Sequence, residues 1–389
     1  MGVPSDPPSE ARLPPATIAR EWTRIGVVGF GGPPAHIALL RDLCVRRRGW
    51  LSAEEFEDAI AATNLLPGPG STQLAIFSAW RLGGVPGALV GGAGFILPGL
   101  VAIIALSVVF LASAPPDWVR GAGAGAGAAV AAVALHAGLG LLAPGWRRGG
   151  GSRRARWVLW VLLGLAAAAT AGPWVVVVLL GCGALEAAAR GASGGGTARL
   201  LVAARVGGGA TGGLGALAWV ALKVGALSYG GGFVIIPMMQ GDAVDRYGWM
   251  TDTQFLNAVA LGQVTPGPVV HTVAAAGYAA AGVGGALLAA AVAFAPSFSF
   301  ILIGARRFDR LRADARVRAF LDGAGPAALG AIVGSAIPLA AALEEGWQAA
   351  VLAGAAVALL VLRRGVVSTL LVAAAIGVAV ALAGGPLPG

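Results

Sequence analysis

Apolar residues fill this chain in long runs, and polar residues are confined to short stretches between them. Runs near 17–40, 57–80, 84–112, 121–143, 157–172 and 173–190 occupy the first half of the chain. Runs near 211–239, 253–281, 283–303, 319–342, 346–362 and 365–385 occupy the second. Crossing a hydrocarbon core takes about 20 residues, so the pattern predicts about 10–12 apolar helical segments. The tract from Gly121 alternates glycine with alanine and would make a poor helix in water. In lipid, where backbone groups must pair internally, it has few alternatives. Only Gly172-Pro173 joins runs 157–172 and 173–190, which predicts a tight turn.

The runs are written twice. At a constant offset of 199, Arg24 to Pro69 register on Lys223 to Pro268 without a gap. Gly26 falls on Gly225, Gly31-Gly32 on Gly230-Gly231, Gly49-Trp50 on Gly248-Trp249, and Phe56 on Phe255. Pro67-Gly68-Pro69 falls on Pro266-Gly267-Pro268, with Asn64 on Gln263 and Phe30 on Tyr229. One residue then drops out, and Pro98 pairs with Pro296. A repeat of this length sets the architecture.

Composition places the chain in a membrane. It has 389 residues, 57% hydrophobic and 12% charged, with a mean hydropathy of +0.80. Soluble domains carry about 25% charged residues, and half that share cannot cover a water-facing surface of this size. The net charge of +9 would suggest nucleic acid in a soluble protein. Here most of the arginines sit in clusters between apolar runs, as in cytoplasmic loops facing anionic lipid, so no nucleic-acid partner is expected. Cys44 and Cys182 stand far apart without metal-ligand spacing, which supports neither a disulfide framework nor a metal site. No cofactor motif is present either. The 63 glycines suit close helix packing in lipid.

Loop charge predicts orientation. Loop 41–48 holds Arg41, Arg46, Arg47 and Arg48 against Asp42, whereas its copy at 240–247 holds Asp242, Asp245 and Arg246. Loop 113–120 is nearly neutral, and its copy at 304–318 is rich in arginine. If basic loops stay in the cytoplasm, the halves point in opposite directions. Two runs, 57–80 and 84–112, then separate loops that lie on opposite faces. One of them must dip in and return, or the two must share a single crossing; 253–303 poses the same problem.

Candidate chemistry gathers at the repeated breaks. Proline removes a backbone donor and disfavours helix in the residue before it, so Pro67-Gly68-Pro69 and Pro266-Gly267-Pro268 must interrupt their runs. The helix that restarts presents unpaired N–H groups and a positive dipole end, suited to anions. Ser71, Thr72 and His271 could donate hydrogen bonds there. Asn64 and Gln263 could orient a substrate or hold unwound backbone. Arg24 and Lys223, the one lysine in the chain, could supply charge at depth, where a charge costs a few kcal/mol. Each precedes a glycine-rich break, Phe30-Gly31-Gly32-Pro33-Pro34 or Tyr229-Gly230-Gly231-Gly232-Phe233, whose backbone can approach a ligand closely. His36 or His271 could move a proton, although a lone histidine in an apolar run is more often a packed residue.

Those motifs, with Gly94-Phe95-Ile96-Leu97-Pro98-Gly99, resemble the chromate ion transporter family in its long two-domain form. The likeness runs from about residue 17 to 385 and departs at Phe294-Ala295-Pro296-Ser297. It implies a multi-pass protein of the cytoplasmic membrane, a secondary active transporter that exports chromate and confers chromate resistance. The substrate would be chromate or a sulfate-like oxyanion, since both are tetrahedral dianions. A membrane-embedded enzyme is the remote alternative: His36, His136 and His271 are the only histidines, and no nucleophile or paired-carboxylate spacing appears.

The expected fold is therefore an all-α integral membrane protein of two homologous, inverted-topology repeats with discontinuous or re-entrant helices at the Pro-Gly-Pro breaks. A disordered tail (1–16) is followed by one repeat (17–192), a Gly/Arg linker (193–210) and the second repeat (211–389). Association of copies into a homo-oligomer is left open.

Overall fold

The computed structural model describes residues 12–63, 66–148, 152–170, 172–190, 212–228, 232–304 and 314–388. The expected linker 193–210, most of the expected tail, residues 305–313 of the basic loop, and Asn64, Tyr229, Gly230 and Gly231 lie outside them. Among the described residues every regular element is helical. In chain order these are α1 (Pro15–Val28), α2 (Gly32–Arg41), α3 (Ala53–Thr63), α4 (Gly70–Phe110), α5 (Asp117–Arg148), α6 (Ser152–Thr170) and α7 (Val175–Ala189). The second half supplies α8 (Leu214–Leu227), α9 (Ile236–Gln240), α10 (Asp252–Val264), α11 (Thr272–Gly304), α12 (Ala315–Gly334), α13 (Ala336–Ala341), α14 (Gly346–Ala356) and α15 (Val366–Leu382). Four stretches are long and apolar enough to cross a membrane: Gly70–Phe110, Asp117–Leu142, Val269–Gly304 and Ala315–Ala341.

The offset of 199 is visible in the backbone. Wide π-type turns occupy Asp42–Arg47 and Gly241–Arg246. The stretches read as loops 41–48 and 240–247 are therefore largely helical: Arg41 ends α2, Asp42–Arg47 and Gly241–Arg246 are π turns, and Gln240 ends α9. Three of the arginines in the first are also paired, Arg41 with Glu57, Arg47 with Asp42 at 2.5 Å and Arg48 with Glu21 at 2.8 Å.

Run 17–40 is likewise two pieces. α1 stops at Gly29, and α2 begins after Gly31, whose φ of +97° favours glycine. Pro33 and Pro34 fall in the first turn of α2, where a missing N–H costs little.

A straight helix of 41 residues would be about 60 Å long, twice a hydrocarbon core. α4 avoids this by turning back at Gly84, with φ 63° and ψ −153°. α11 does the same at Gly282, with φ 61° and ψ −154°. The arms then pack antiparallel. A β-carbon on Gly87 would lie 2.4 Å from the Ala79 carbonyl oxygen, and one on Gly285 would lie 2.2 Å from that of Gly277. α3 and the first arm of α4 also form a hairpin, its apex at Pro67-Gly68-Pro69. Its open ends are tied by Glu55 and Arg81 at 3.0 Å. Run 57–80 is thus a helical hairpin and not one straight helix.

The last helices of the two halves are exchanged. α5 packs on α14 and α15, whereas α12 packs on α6 and α7. Glycine makes both contacts close. β-carbons on Gly121 and Gly125 would meet the Gly377 and Ala373 carbonyls at 2.4 and 2.1 Å, while one on Gly123 would meet Asn257 of α10 at 2.7 Å. The Gly-Ala alternation thus serves two faces of one helix. On the other side, β-carbons at Gly164 and Gly330 would lie 1.8 and 1.9 Å from the Ala327 and Val161 carbonyls. Glu186 anchors this side: buried in α7, it takes the Trp160 indole N–H at 3.1 Å and pairs with Arg190 at 2.8 Å and Arg156 at 3.5 Å. Arg190 continues to Asp322 on α12 at 2.7 Å.

Replacing Gly164 with alanine should therefore destabilise the protein by about 1–3 kcal/mol through overpacking. Gly181→Ala, where no atom lies within 4 Å of the added carbon, should leave stability within about 0.5 kcal/mol. Thermal unfolding followed by size-exclusion chromatography in detergent compares the two.

Candidate functional site

Each Pro-Gly-Pro break lies against the first helix of the other half. The Gly267 N–H donates to the Gly29 carbonyl at the end of α1, at 2.9 Å. A β-carbon on Gly68 would lie 3.3 Å from the carbonyl oxygen of Gly225 in α8. Both apex glycines hold positive φ, +120° at Gly68 and +89° at Gly267, a region that a side chain resists. The helices beneath are seated by further glycines: β-carbons at Gly26 and Gly225 would lie 2.6 and 1.9 Å from the carbonyls of Gly94 and Ala293. The Ala293 carbonyl stands where the first copy has that of Phe95, which would lie 2.9 Å from the same β-carbon on Gly26.

Polar side chains line both breaks and are buried. Ser71, Thr72 and Gln73 open α4 with exposures of 4% or less, and His271 in the turn before α11 is fully buried. His36 of α2 bridges this region, with Nδ1 3.2 Å from Ser71 Oγ and Nε2 2.9 Å from the Gly29 carbonyl. It stands edge-on to Phe95, and His271 stands likewise against Phe294. Ser71, His36, Gly29 and Gly267 thus form one hydrogen-bonded chain that passes from the first copy to the second.

Several buried polar atoms here have no hydrogen-bond partner among the described residues. They are Thr72 Oγ1, Gln73 Oε1, Ser228 Oγ, Gln263 Nε2 and Ser297 Oγ, while the His271 ring lies against the backbone of Ile96 and Pro266. Thr72 and His271 occupy equivalent positions, each three residues beyond the second proline of its break. Leaving such groups unmet costs about 1–3 kcal/mol each. Unmet groups flank both breaks, on Thr72 and Gln73 after the first and on Gln263 before the second, and such groups call for an explanation.

Residues 16–187 and 215–380 match the model of a protein family described as chromate transporter. The chain belongs to that family. It is 31% identical to the chromate transport protein of Cupriavidus metallidurans over 355 residues, 87% of this chain and 86% of the relative. It is 30% identical to the chromate transport protein of Pseudomonas aeruginosa, over 88% of this chain and 85% of the relative. A probable chromate transport protein of Synechococcus elongatus is 30% identical over 83% of this chain and 84% of the relative. No solved structure matches. As a chromate transporter family member, the protein is a multi-pass membrane protein and an ion transporter, not an enzyme.

Of the residues expected at the site of this transporter, Ser71, Thr72, Gly68, Pro69, Gln263, Gly267, Pro268 and His271 are buried around the breaks, while Pro67 is exposed and Pro266 partly so. Gly31 is exposed and Gly32 half-buried. Asn64, Tyr229, Gly230 and Gly231 are outside the described residues.

The two cations differ from expectation. Arg24 is exposed on α1 beside Val27 and Val28. Lys223 is not an unpartnered charge: its ammonium pairs with Asp242, which is fully buried in the π turn after α9. A carboxylate at that depth needs a counter-ion, and the lysine supplies it. Sequence reasoning raised His36 only as a possible proton carrier, and it passed over Gln73, Ser228 and Ser297. Gln73 follows Ser71-Thr72 directly, and Ser297 stands where the first copy has Gly99, so both could have been found from the repeat.

Because the pair is closed, Lys223→Gln should destabilise the protein by about 3 kcal/mol by leaving Asp242 buried without its main counter-charge. Adding Asp242→Asn should recover most of that loss. The amount of folded, membrane-inserted protein and its thermal midpoint check both variants.

Proposed function

We propose that this protein is a secondary active transporter that exports chromate across the cytoplasmic membrane, with the oxyanion held between the two Pro-Gly-Pro breaks. The observation that carries the reading is the set of unmet buried polar atoms beside both breaks, on Thr72 and Gln73 in one copy and on Gln263 in the other. Hydroxyl, amide and imidazole groups can all donate to oxyanion oxygens, and the restarting helix of α4 turns its positive end toward the same place. The names of the relatives supply the substrate, chromate. A sulfate-like dianion has the same shape and charge and is the second substrate to compare.

The orientation of the halves follows from the basic clusters. With Arg41–Arg48 in the cytoplasm and the hairpin adding no crossing, the two copies have inverted topology, one repeat over 17–192 and the other over 211–389. Transport is then a rocking of one half against the other around a site at their shared boundary.

Inside-out vesicles holding the parent protein should accumulate labelled chromate, and unlabelled sulfate should compete if the site reads only shape and charge. Thr72→Val and Gln263→Leu, which remove donors at similar volume, should each lower uptake per inserted molecule by about tenfold, the equivalent of one hydrogen bond to a charged group. Parent rates in both variants would move the site elsewhere. Single cysteines at Arg47 and Asp245, in a chain lacking Cys44 and Cys182, should label from opposite faces of the membrane. Labelling from one face would end the inverted assignment.

A further inference from the structure

We propose that His36 is a proton-operated switch for the site, which turns the Ser71 hydroxyl between donating to the imidazole ring and donating into the break. The inference rests on the reading of the breaks as an oxyanion site and adds to it a coupling of anion binding to proton binding.

Hydrogen-bond chemistry fixes the resting state. The Gly29 carbonyl can only accept, and it lies 2.9 Å from Nε2, so Nε2 carries the ring proton. In a neutral ring Nδ1 then holds a lone pair. The hydroxyl of Ser71, 3.2 Å away, must donate to it. In that state Ser71 shows the break only oxygen lone pairs, which repel an oxyanion. A proton arriving at Nδ1 reverses the bond. The ring now donates to Ser71 Oγ, and the hydroxyl hydrogen is released to point elsewhere. Ser71 is 4% exposed and adjoins Thr72, whose own hydroxyl is unmet, so the released donor adds to the same cluster. The ring's positive charge favours the anion as well.

Charged groups around α2 are otherwise committed. On α1, Glu21 is held by Arg48 and Arg20, and Arg24 is exposed. On α4, Arg81 pairs with Glu55. On α2 and its π turn, Arg41 pairs with Glu57 and Arg47 with Asp42, beyond which lies Arg46. From the second half, His271 is buried in the turn after the break, whose Gly267 N–H shares the Gly29 carbonyl with His36. The copies at offset 199 are Ile235 for His36 and Val270 for Ser71. The switch therefore exists on one side of the site alone.

The test measures chromate dissociation constants for purified parent protein and His36→Gln from about pH 5.5 to about pH 8.5, the range in which histidine titrates. Chromate itself takes up a proton in this range, but that equilibrium is common to both proteins and cancels in the ratio of their affinities. The parent-to-variant affinity ratio should rise as pH falls, with a limiting slope of about tenfold per pH unit for one linked proton. A ratio that stays flat overturns the switch. Should His36→Gln not assemble, Ser71→Ala provides the same comparison, because the lost donor matters only once His36 is protonated; a flat ratio there also overturns it. If the parent binds no chromate at any pH, the reading of the breaks as the site falls, and the switch falls with it.

Discussion

The hydrogen bond from Gly267 to the Gly29 carbonyl crosses the boundary between the two copies, and the site is possible only because that crossing is close. An unwound segment in a membrane interior carries N–H and C=O groups that no water can satisfy. Here each unwound segment lies against backbone of the other copy. Side chains would hold the backbones apart, so the contact surfaces are glycine: Gly68 and Gly267 at the apices, with Gly225 and Gly29 of the other copy opposite them. Gly99 belongs to the same set, since a β-carbon there would lie 2.0 Å from the Pro266 carbonyl. The duplicated chain meets itself by its backbone, and polar side chains then need only close the remaining space.

Exchange of the last helices extends that boundary beyond the breaks. Were α5 packed on its own half, the copies would touch mainly at the breaks. Instead α5 lies on α14 and α15, and α12 lies on α6 and α7, so each copy holds a helix of the other. Without a hydrophobic drive between helices in lipid, such contacts depend on close van der Waals approach. Glycine against carbonyl supplies it on both sides. The Glu186 network fixes one of these sides through Arg156, Arg190, Trp160 and Asp322, which absorbs acids that would otherwise read as candidate chemistry.

Much of this was legible because the repeat doubles each signal. A lone Pro-Gly-Pro is a kink; two at one offset announced the breaks, and Gly84 and Gly282 turn the chain back between runs 57–80 and 84–112 and between runs 253–281 and 283–303. Helix ends fell within a few residues of the apolar runs, since a membrane helix is defined by the length of its apolar stretch. What escaped the sequence was pairing across long separations. Asp242 sat in a stretch read as an outside loop, and only folding shows that it is the partner of Lys223. His36 looked like a packed residue, and it is packed; its ring bonds to the Gly29 carbonyl across the break between α1 and α2 and to Ser71, 35 residues away. The exchange of helices was invisible for the same reason, because the glycine stripes of α5 and α12 state that they pack closely but not against what.

A site built from neutral donors suits transport better than one built from fixed cations. A dianion deep in lipid must be compensated for lost water, and two unscreened cations would do so strongly. They would also cost a few kcal/mol each when the site is empty, and they would release the anion slowly. Conduction needs binding favourable enough to admit the ion and weak enough to let it go. Hydroxyls, amides and helix ends carry only partial charges, so the empty site is tolerable and the filled one is not a trap. Lys223 is consistent with this economy, since its ammonium pairs with Asp242. If a full positive charge is needed for part of the cycle, a histidine is the side chain that can acquire and lose it near neutral pH. His36 stands at the one point where doing so also reorients a donor.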